Sequence, residues 1–367
     1  MKIGILGTRG IPNHHGGFEQ FADFFAVYAK EEGHDVYVYN SHLHPFKDNN
    51  YKGVNIIHAY DPESRIGTAG QFIYDFNCIR DSRKRDYDII LQLGYTSSSI
   101  WGWLLPSKPT VITNMDGLEW KRSKYSKKVQ KFLLYAEKLA IKTSDYLISD
   151  SIGIQSYIKK KYNKNSAYIA YGANVFVPNE NADFSYEDLV TNEYFLLIAR
   201  MEPENNIEMI LDGYVRSNSE HPFCVIGNIE STPFGNYLKK KFGKHNGIRF
   251  FGAIYDLETL DNLRFNSRLY FHGHSVGGTN PSLLEAMGSH SLIAAHHNDF
   301  NYAILEDDAF YFKSTEDVSE LINNENKKDR LDLIKRNIDK IETKFSWEYI
   351  NESYLKFFNT CFNEKNK

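Results

Sequence analysis

Short apolar runs rich in Ile, Val, Tyr and Phe alternate along the chain with amphipathic stretches, the pattern of parallel strands joined by helices. The expected fold class is therefore α/β. In the first half the runs place strands over Lys2–Leu6, Asp35–Asn40, Val54–His58, Tyr87–Leu91, Thr110–Thr113, Tyr146–Ser149 and Ala167–Ala170. One helix is expected over Phe18–Glu32, stopped by Gly33. Another covers Ser126–Thr143, with Val129, Phe132, Leu133, Ala136, Leu139 and Ala140 on one face. The segment YGANVFVPNENADF after Ala170 has Gly, Pro and Asn without periodicity and reads as a linker.

The pattern then restarts. Strands are expected over Tyr194–Ala199, Phe223–Ile226, Ile248–Phe251, Leu269–Phe271, Leu292–Ala294 and Phe310–Phe312, with helices beginning near Glu204, Pro233, Asp256 and Pro281. From Lys327 the chain is helical and charged. It ends in FSWEYINESYLKFF, whose Trp347, Ile350, Tyr354 and Phe357 recur at helical spacing and need a surface to dock on. No repeat with a period of 20 to 50 residues accompanies these elements.

A length of 367 residues is about twice what one core organises, which fits two α/β halves. Lys+Arg 43 against Asp+Glu 47 leaves a net charge of −4, so no global positive field points to a nucleic-acid partner. The apolar Ile3–Leu6 run is too short for a signal peptide, and no run of about 18 apolar residues occurs; a cytoplasmic location is expected. Cys78, Cys224 and Cys361 are too dispersed for a disulfide framework or a structural zinc site.

The first candidate for chemistry is GTRGIPNHHGGFEQF, Gly7 to Phe21, a glycine-rich turn between strand and helix. Its glycines do not give Gly-x-Gly-x-x-Gly, and the second strand ends in Asn40-Ser41 without an acidic residue, which argues against a nicotinamide enzyme. Gly16 and Gly17 would let an anion or a sugar approach the backbone closely, or they simply turn the chain. His14 and His15 offer proton transfer, although paired loop histidines are commonly just solvated.

The second candidate is HGHSVGGTNPSLLEAM, His272 to Met287. A strand leads into a permissive Gly277-Gly278 loop, Asn280 suits the N-cap and Pro281 the first helical position. Gly278, Thr279 and Asn280, with free N–H groups on Ser282 and Leu283, are expected to bind a diphosphate at the helix N-terminus. Glu285, one turn further in, places a carboxylate for two ribose hydroxyls. The simpler reading is a capped helix with Glu285 stabilising its first turn.

HGHSVGGTNPSLLEAM resembles the nucleotide-sugar motif of retaining glycosyltransferases of family 4, and GILGTRGIPNHHGGFEQFAD is similar to bacterial capsule and O-antigen rhamnosyltransferases of that family. The resemblance implies the GT-B architecture: two Rossmann-like parallel-sheet domains facing a central cleft that holds the sugar nucleotide, and a C-terminal helix crossing back. It assigns residues 1–174 to the acceptor-side domain, 175–345 to the nucleotide-sugar domain and 346–367 to the returning helix. Three departures stand out. The first glutamate of the family's pair, eight positions before Glu285, is Gly277, so the sugar contact falls to His274 or to backbone. Arg200 is present to grip the diphosphate, but Asn205 stands where lysine is expected. The usual N-domain histidine is missing; VITNMDGLEWKR offers Asp116, to position or deprotonate the acceptor hydroxyl, and Glu119, although Asp-Gly is also a common turn. Tyr255 either flanks the base or is an ordinary tyrosine.

Lys121 to Lys142 holds eight basic residues, among them Lys124, Lys127, Lys128 and Lys131, against one acidic residue, Glu137; Trp101, Trp103 and Leu104 lie on a nearby connection. The stretch is a solvated face or a membrane-surface patch, and the family's lipid-linked acceptor favours the latter. The expected activity is transfer of a sugar, L-rhamnose from dTDP-rhamnose in the leading case or another dTDP- or UDP-sugar, to a lipid-linked saccharide in capsule, O-antigen or exopolysaccharide synthesis. It would proceed with retention, at the cytoplasmic face of the inner membrane. No metal is expected, since no Asp-x-Asp pair sits in a suitable loop. A nucleotide-sugar epimerase of the same architecture is one rival. A non-catalytic nucleotide-sugar-binding subunit is the other, suggested by Gly277 and Asn205.

Overall fold

The computed structural model describes every residue except His15, Asp116, Ser123, Lys124, residues 180–183 and Lys367. Eight strands make the first sheet: β1 (Lys2–Leu6), β2 (Asp35–Ser41), β3 (Asn50–Tyr51), β4 (Val54–Ala59), β5 (Ile89–Leu93), β6 (Thr110–Asn114), β7 (Tyr146–Ser149) and β8 (Ala167–Tyr168). Their order is β3-β4-β2-β1-β5-β6-β7-β8, parallel except for the β3–β4 pair. Six strands make the second: β9 (Phe195–Ile198), β10 (Phe223–Ile226), β11 (Ile248–Gly252), β12 (Leu269–His272), β13 (Ile293–His296) and β14 (Phe310–Phe312), in the order β11-β10-β9-β12-β13-β14 and all parallel. The chain reverses its direction of strand addition between β1 and β5 and again between β9 and β12. In open α/β sheets ligands collect at such switch points, beyond the carboxyl ends of the strands.

Two compact units result. The first comprises Met1–Trp120, Tyr125–Tyr171 and Trp347–Lys367; the second comprises Lys121–Lys124 and Gly172–Ser346. In the first, the helix Gly17–Glu31 buries Phe21, Phe25 and Ala29 and packs against the C-terminal helix Trp347–Lys365. Phe24 stacks on Trp347 at 4.4 Å between ring centroids, Phe21 meets Tyr354 at 4.5 Å, and Phe25 presents its ring to Phe358 at 5.5 Å. Asn114 Nδ2, at the end of β6, donates to the Tyr354 hydroxyl at 2.9 Å. The docking seam uses Phe358, four residues after Tyr354, and leaves Phe357 half-buried beside Tyr146. In the second unit, Phe195, Phe223 and Phe271 from three adjacent strands pack with Leu211 and Tyr214 of the helix Ile207–Ser217.

Local chemistry shifts some of the expected boundaries. β5 begins at Ile89 because Tyr87 is used as a core side chain: its ring lies where a Cβ on Gly4 would come within 2.8 Å, and its hydroxyl meets that of Tyr39. The helix expected near Glu204 starts at Ile207, since Pro203–Asn205 forms a 3₁₀ turn and Asn206 adopts φ +50°. The linker has some order: Ala173 bridges Ser346, and Phe176 N–H donates to Gly288 O.

The helix Lys127–Thr143 starts on a Ser126 cap. Its acidic residue, Glu137, is buried and accepts from Lys161 at 2.9 Å and from the Tyr157 and Tyr162 hydroxyls. Lys127, Lys128, Lys131, Lys138 and Lys142 are exposed, as is Trp103 on the 3₁₀ segment Ser98–Leu104. Among the described residues no helix is long and apolar enough to cross a membrane.

Candidate functional site

In the first unit the loop after β1 is fixed by its own side chains. Gly7 has φ +87°, and a Cβ there would stand 2.3 Å from Leu93 O, so only glycine fits. Arg9 donates its N–H to Glu19 Oε1 at 2.8 Å and pairs its guanidinium with Asp61 at 2.8 Å and Glu63 at 2.6 Å. Gly16 is different. It is the N-cap of the helix Gly17–Glu31 in extended backbone, φ −173°, and a Cβ on it would meet only Glu19 Oε2 at 3.7 Å. The fold does not require glycine at this position, which leaves room for a ligand's approach. The carboxylate of Glu19 beside it suits a neutral, hydroxylated group better than a phosphate. His14 stands edge-on to His44 at 5.3 Å; His15 and Asp116 lie outside the described residues. Tyr255 is 79% exposed, with no core role.

In the second unit, the segments after β9 and β12 meet at the switch point. Arg200 is exposed, and among the described residues its guanidinium has no hydrogen-bond or ion-pair partner. Asn205 is buried and donates Nδ2 to Arg200 O at 2.7 Å, tying down the turn that carries the arginine. The two segments touch closely: Ser275 N–H and Oγ both donate to Glu204 O, and a Cβ on Gly273 would lie 1.9 Å from Asn205 O. Arg122 approaches Glu204 at 4.0 Å in the same unit.

His272 and His274 stack at 4.4 Å between centroids. Both ring nitrogens of His272 and Nδ1 of His274 are buried without a hydrogen-bond partner among the described residues. Asn298 and Asn301 hold the His274 carbonyl, each at 3.0 Å. Burial first, then the charges of Arg200 and Arg122, push the His274 imidazole down to about 3; burial, His274 and Arg264 hold His272 well below the ordinary value. Both rings are neutral at physiological pH. A histidine that titrates near 6.5 when unfolded but lower when folded binds fewer protons in the native state. Stability is therefore expected to fall as pH drops from about 6.5 toward 3, by at most about 1.4 kcal/mol per pH unit per imidazole. Denaturant titrations at pH 7, 6 and 5 should show this slope reduced in His274→Gln; an unchanged slope would refute the assignment.

The helix Pro281–Gly288 follows an Asn280 cap, as its sequence predicts, and that cap corrects one expectation. The N–H of Ser282 donates to Asn280 Oδ1 at 3.0 Å and that of Leu283 to Asn280 O at 3.0 Å, so neither is free for a diphosphate. The N–H groups of Gly277, which has φ +135°, Gly278 and Asn280 have no acceptor among the described residues. Ser282 pairs its hydroxyl with Tyr270 at 2.9 Å. Glu285 lies one turn in, and its Oε2 takes the guanidinium of the buried Arg264 at 2.5 Å. Neither Arg264 nor Asp261, its second partner, carried a signal in the sequence: a charged residue in a helix is read as solvent-facing by default. No group of three His, Cys, Asp or Glu side chains among the described residues is placed to hold a metal ion.

Arg200, His274, Gly278, Thr279, Asn280, Ser282, Leu283 and Glu285 thus fall together in the second unit, and Gly16 and Gly17 in the first. Residues 105–174 match a family described as a domain of unknown function, DUF1972. No curated protein matches the sequence significantly. Among solved structures, sucrose-phosphate synthase of Thermosynechococcus elongatus superposes with a TM-score of 0.79 at 15% identity, over 99% of both chains. HepE of Anabaena in complex with UDP and glucose gives 0.72 at 15% identity, over 98% of this chain and 100% of its own. A glycosyltransferase of Rickettsia africae gives 0.68 at 14% identity, over 98% of both. With two parallel sheets and a C-terminal helix returning to the first unit, the chain has the GT-B fold of these glycosyltransferases.

Proposed function

We propose that the protein is a glycosyltransferase that takes its sugar from a nucleotide sugar. The observation that carries this reading is the switch point of the second sheet, where Arg200, whose guanidinium has no partner among the described residues, shares one loop cluster with the glycine N–H groups of 277–278 and the helix that carries Glu285. Arg200 and the glycine donors would hold the diphosphate, Glu285 the ribose, and His274 the transferred sugar in place of the glutamate replaced by Gly277. Solved relatives of the fold support the reading, HepE having been captured with UDP and glucose. In the reaction the bond from the sugar's anomeric carbon to the diphosphate breaks and a bond from the acceptor oxygen forms. The hydroxyl proton leaves with the phosphate oxygen, with Asp116 orienting the acceptor and Gly16–Gly17 admitting it. Retention, L-rhamnose as the sugar and a lipid-linked acceptor belong to the same proposal, as does independence of metal.

The test is calorimetric binding of dTDP- and UDP-sugars to the purified chain, followed by transfer to lipid-linked acceptors with EDTA present. Binding with transfer supports the proposal; isomerisation of the donor alone identifies an epimerase, and absence of nucleotide binding rejects all three readings. Loss of transfer on chelation would remove metal independence.

We also propose that the lysine face of Lys127–Thr143 meets anionic lipid at the cytoplasmic surface, at about 1 kcal/mol per basic residue near the headgroups. Co-sedimentation with phosphatidylserine vesicles is expected to weaken as salt rises and to drop severalfold when Lys127, Lys128 and Lys131 are replaced by glutamine. Equal sedimentation with neutral vesicles would reject the patch.

A further inference from the structure

Arg264 is the largest side chain fully enclosed in the protein, 1% exposed, on the helix Leu257–Asn266. Its two terminal nitrogens are divided between two carboxylates, Nη1 to Asp261 Oδ1 at 2.9 Å and Nη2 to Glu285 Oε2 at 2.5 Å; Nε has no partner. Asp261 is fixed in turn. Ser289 Oγ, at the end of the helix that carries Glu285, stands 2.9 Å from Asp261 Oδ1 and 2.7 Å from Glu285 O. The guanidinium thus joins two helices through a closed set of polar contacts. Of its two carboxylates, Glu285 is the one on the helix whose N-terminus carries the candidate site.

A buried guanidinium is costly unless paired, and hydrophobic residues of similar volume commonly stabilise such positions as well or better. What an arginine adds that they cannot is orientation. A free glutamate has several rotamers and loses them when it binds a ligand. With Oε2 tied to Arg264, the Glu285 carboxylate is preorganised in one orientation before any ligand arrives. We infer that Arg264, held by Asp261, is a positioning residue that orients the Glu285 carboxylate for the hydroxyls of a nucleoside sugar. This rests on the reading of Glu285 as the ribose ligand.

The experiment compares UDP with 2′,3′-dideoxy-UDP, which lacks those hydroxyls, by calorimetry on the full chain. The wild type is expected to bind UDP at least about tenfold more tightly, the difference that one charge-assisted hydrogen bond supports. In Arg264→Met the ratio should fall to within about twofold of one, through weaker UDP binding, while the dideoxy affinity stays within about twofold. Arg264→Lys, which keeps the charge without the fork, should give an intermediate ratio. A folded Arg264→Met or Asp261→Asn protein that retained the wild-type ratio would overturn the inference; if the methionine variant does not fold, the lysine and asparagine variants decide. Glu285→Gln separates the two levels. A ratio lost in Glu285→Gln but kept in the Arg264 variants leaves the ribose reading standing and removes the positioning role, whereas a wild type indifferent to the hydroxyls removes both.

Discussion

Alanine at Glu285 is expected to damage the protein twice. The carboxylate is the candidate ligand of the nucleoside sugar, and losing its charge-assisted bonds, about 1.5–3 kcal/mol each, should weaken donor binding by one to two orders of magnitude. It is also half of the neutralisation of a buried guanidinium. Burial opposes the charge of Arg264, but Glu285, Tyr270 and Asp261 more than reverse this and hold it above its ordinary value, so it stays charged in the variant. Breaking a buried pair from one side costs about 3–5 kcal/mol; with Asp261 still in place, the lower end applies. Glu285→Ala should therefore melt several degrees lower and transfer sugar at no more than about one per cent of the wild-type rate. A variant that kept full transfer would dispose of the ribose assignment, and one with unchanged stability would contradict the ion pair.

Arg200→Ala should give the opposite combination. Its side chain is exposed and, among the described residues, has no partner, so unfolding is expected to shift by no more than about 0.5 kcal/mol. As the cation assigned to the proposed leaving group it should matter greatly in the transition state. Loss of one such electrostatic contact typically lowers turnover by about a hundred- to a thousandfold. Arg200→Lys should recover part of this through its charge, without two-point contact to phosphate oxygens. Turnover within a fewfold of wild type in the alanine variant would place the diphosphate elsewhere. Asn205→Lys is not expected to compensate, because position 205 is buried and its side chain staples the Arg200 carbonyl.

The fold was legible wherever a buried strand forms a pure apolar run, as at Ile3–Leu6 and Phe223–Ile226, because parallel strands covered on both faces leave no other pattern. It was illegible where helices lack start signals. Gly70–Ser82 opens on glycine with no side-chain cap, so nothing local marks its start. Thr315–Asn324, absent from the expected elements, does carry a local start signal in its Ser314–Asp317 capping box. At the candidate site, Asn280, Pro281 and Glu285 were readable because caps and glycines act locally. The use of the Ser282 and Leu283 donors was not, since it depends on how far the cap closes over the helix end. Arg264 and Asp261 could not be found at all, because their meaning lies in a contact spanning 21 residues.

The return of Trp347–Lys365 to the first unit sets the order in which the protein can be finished as it leaves the ribosome. The aromatic face of Gly17–Glu31 is made early, yet its covering ring, Tyr354, is bonded to an asparagine 240 positions upstream. Until the whole second unit has been synthesised, Phe21 and Phe25 lack their lid, so the earliest-translated half is the last to close and the more exposed to chaperones and proteases while it waits.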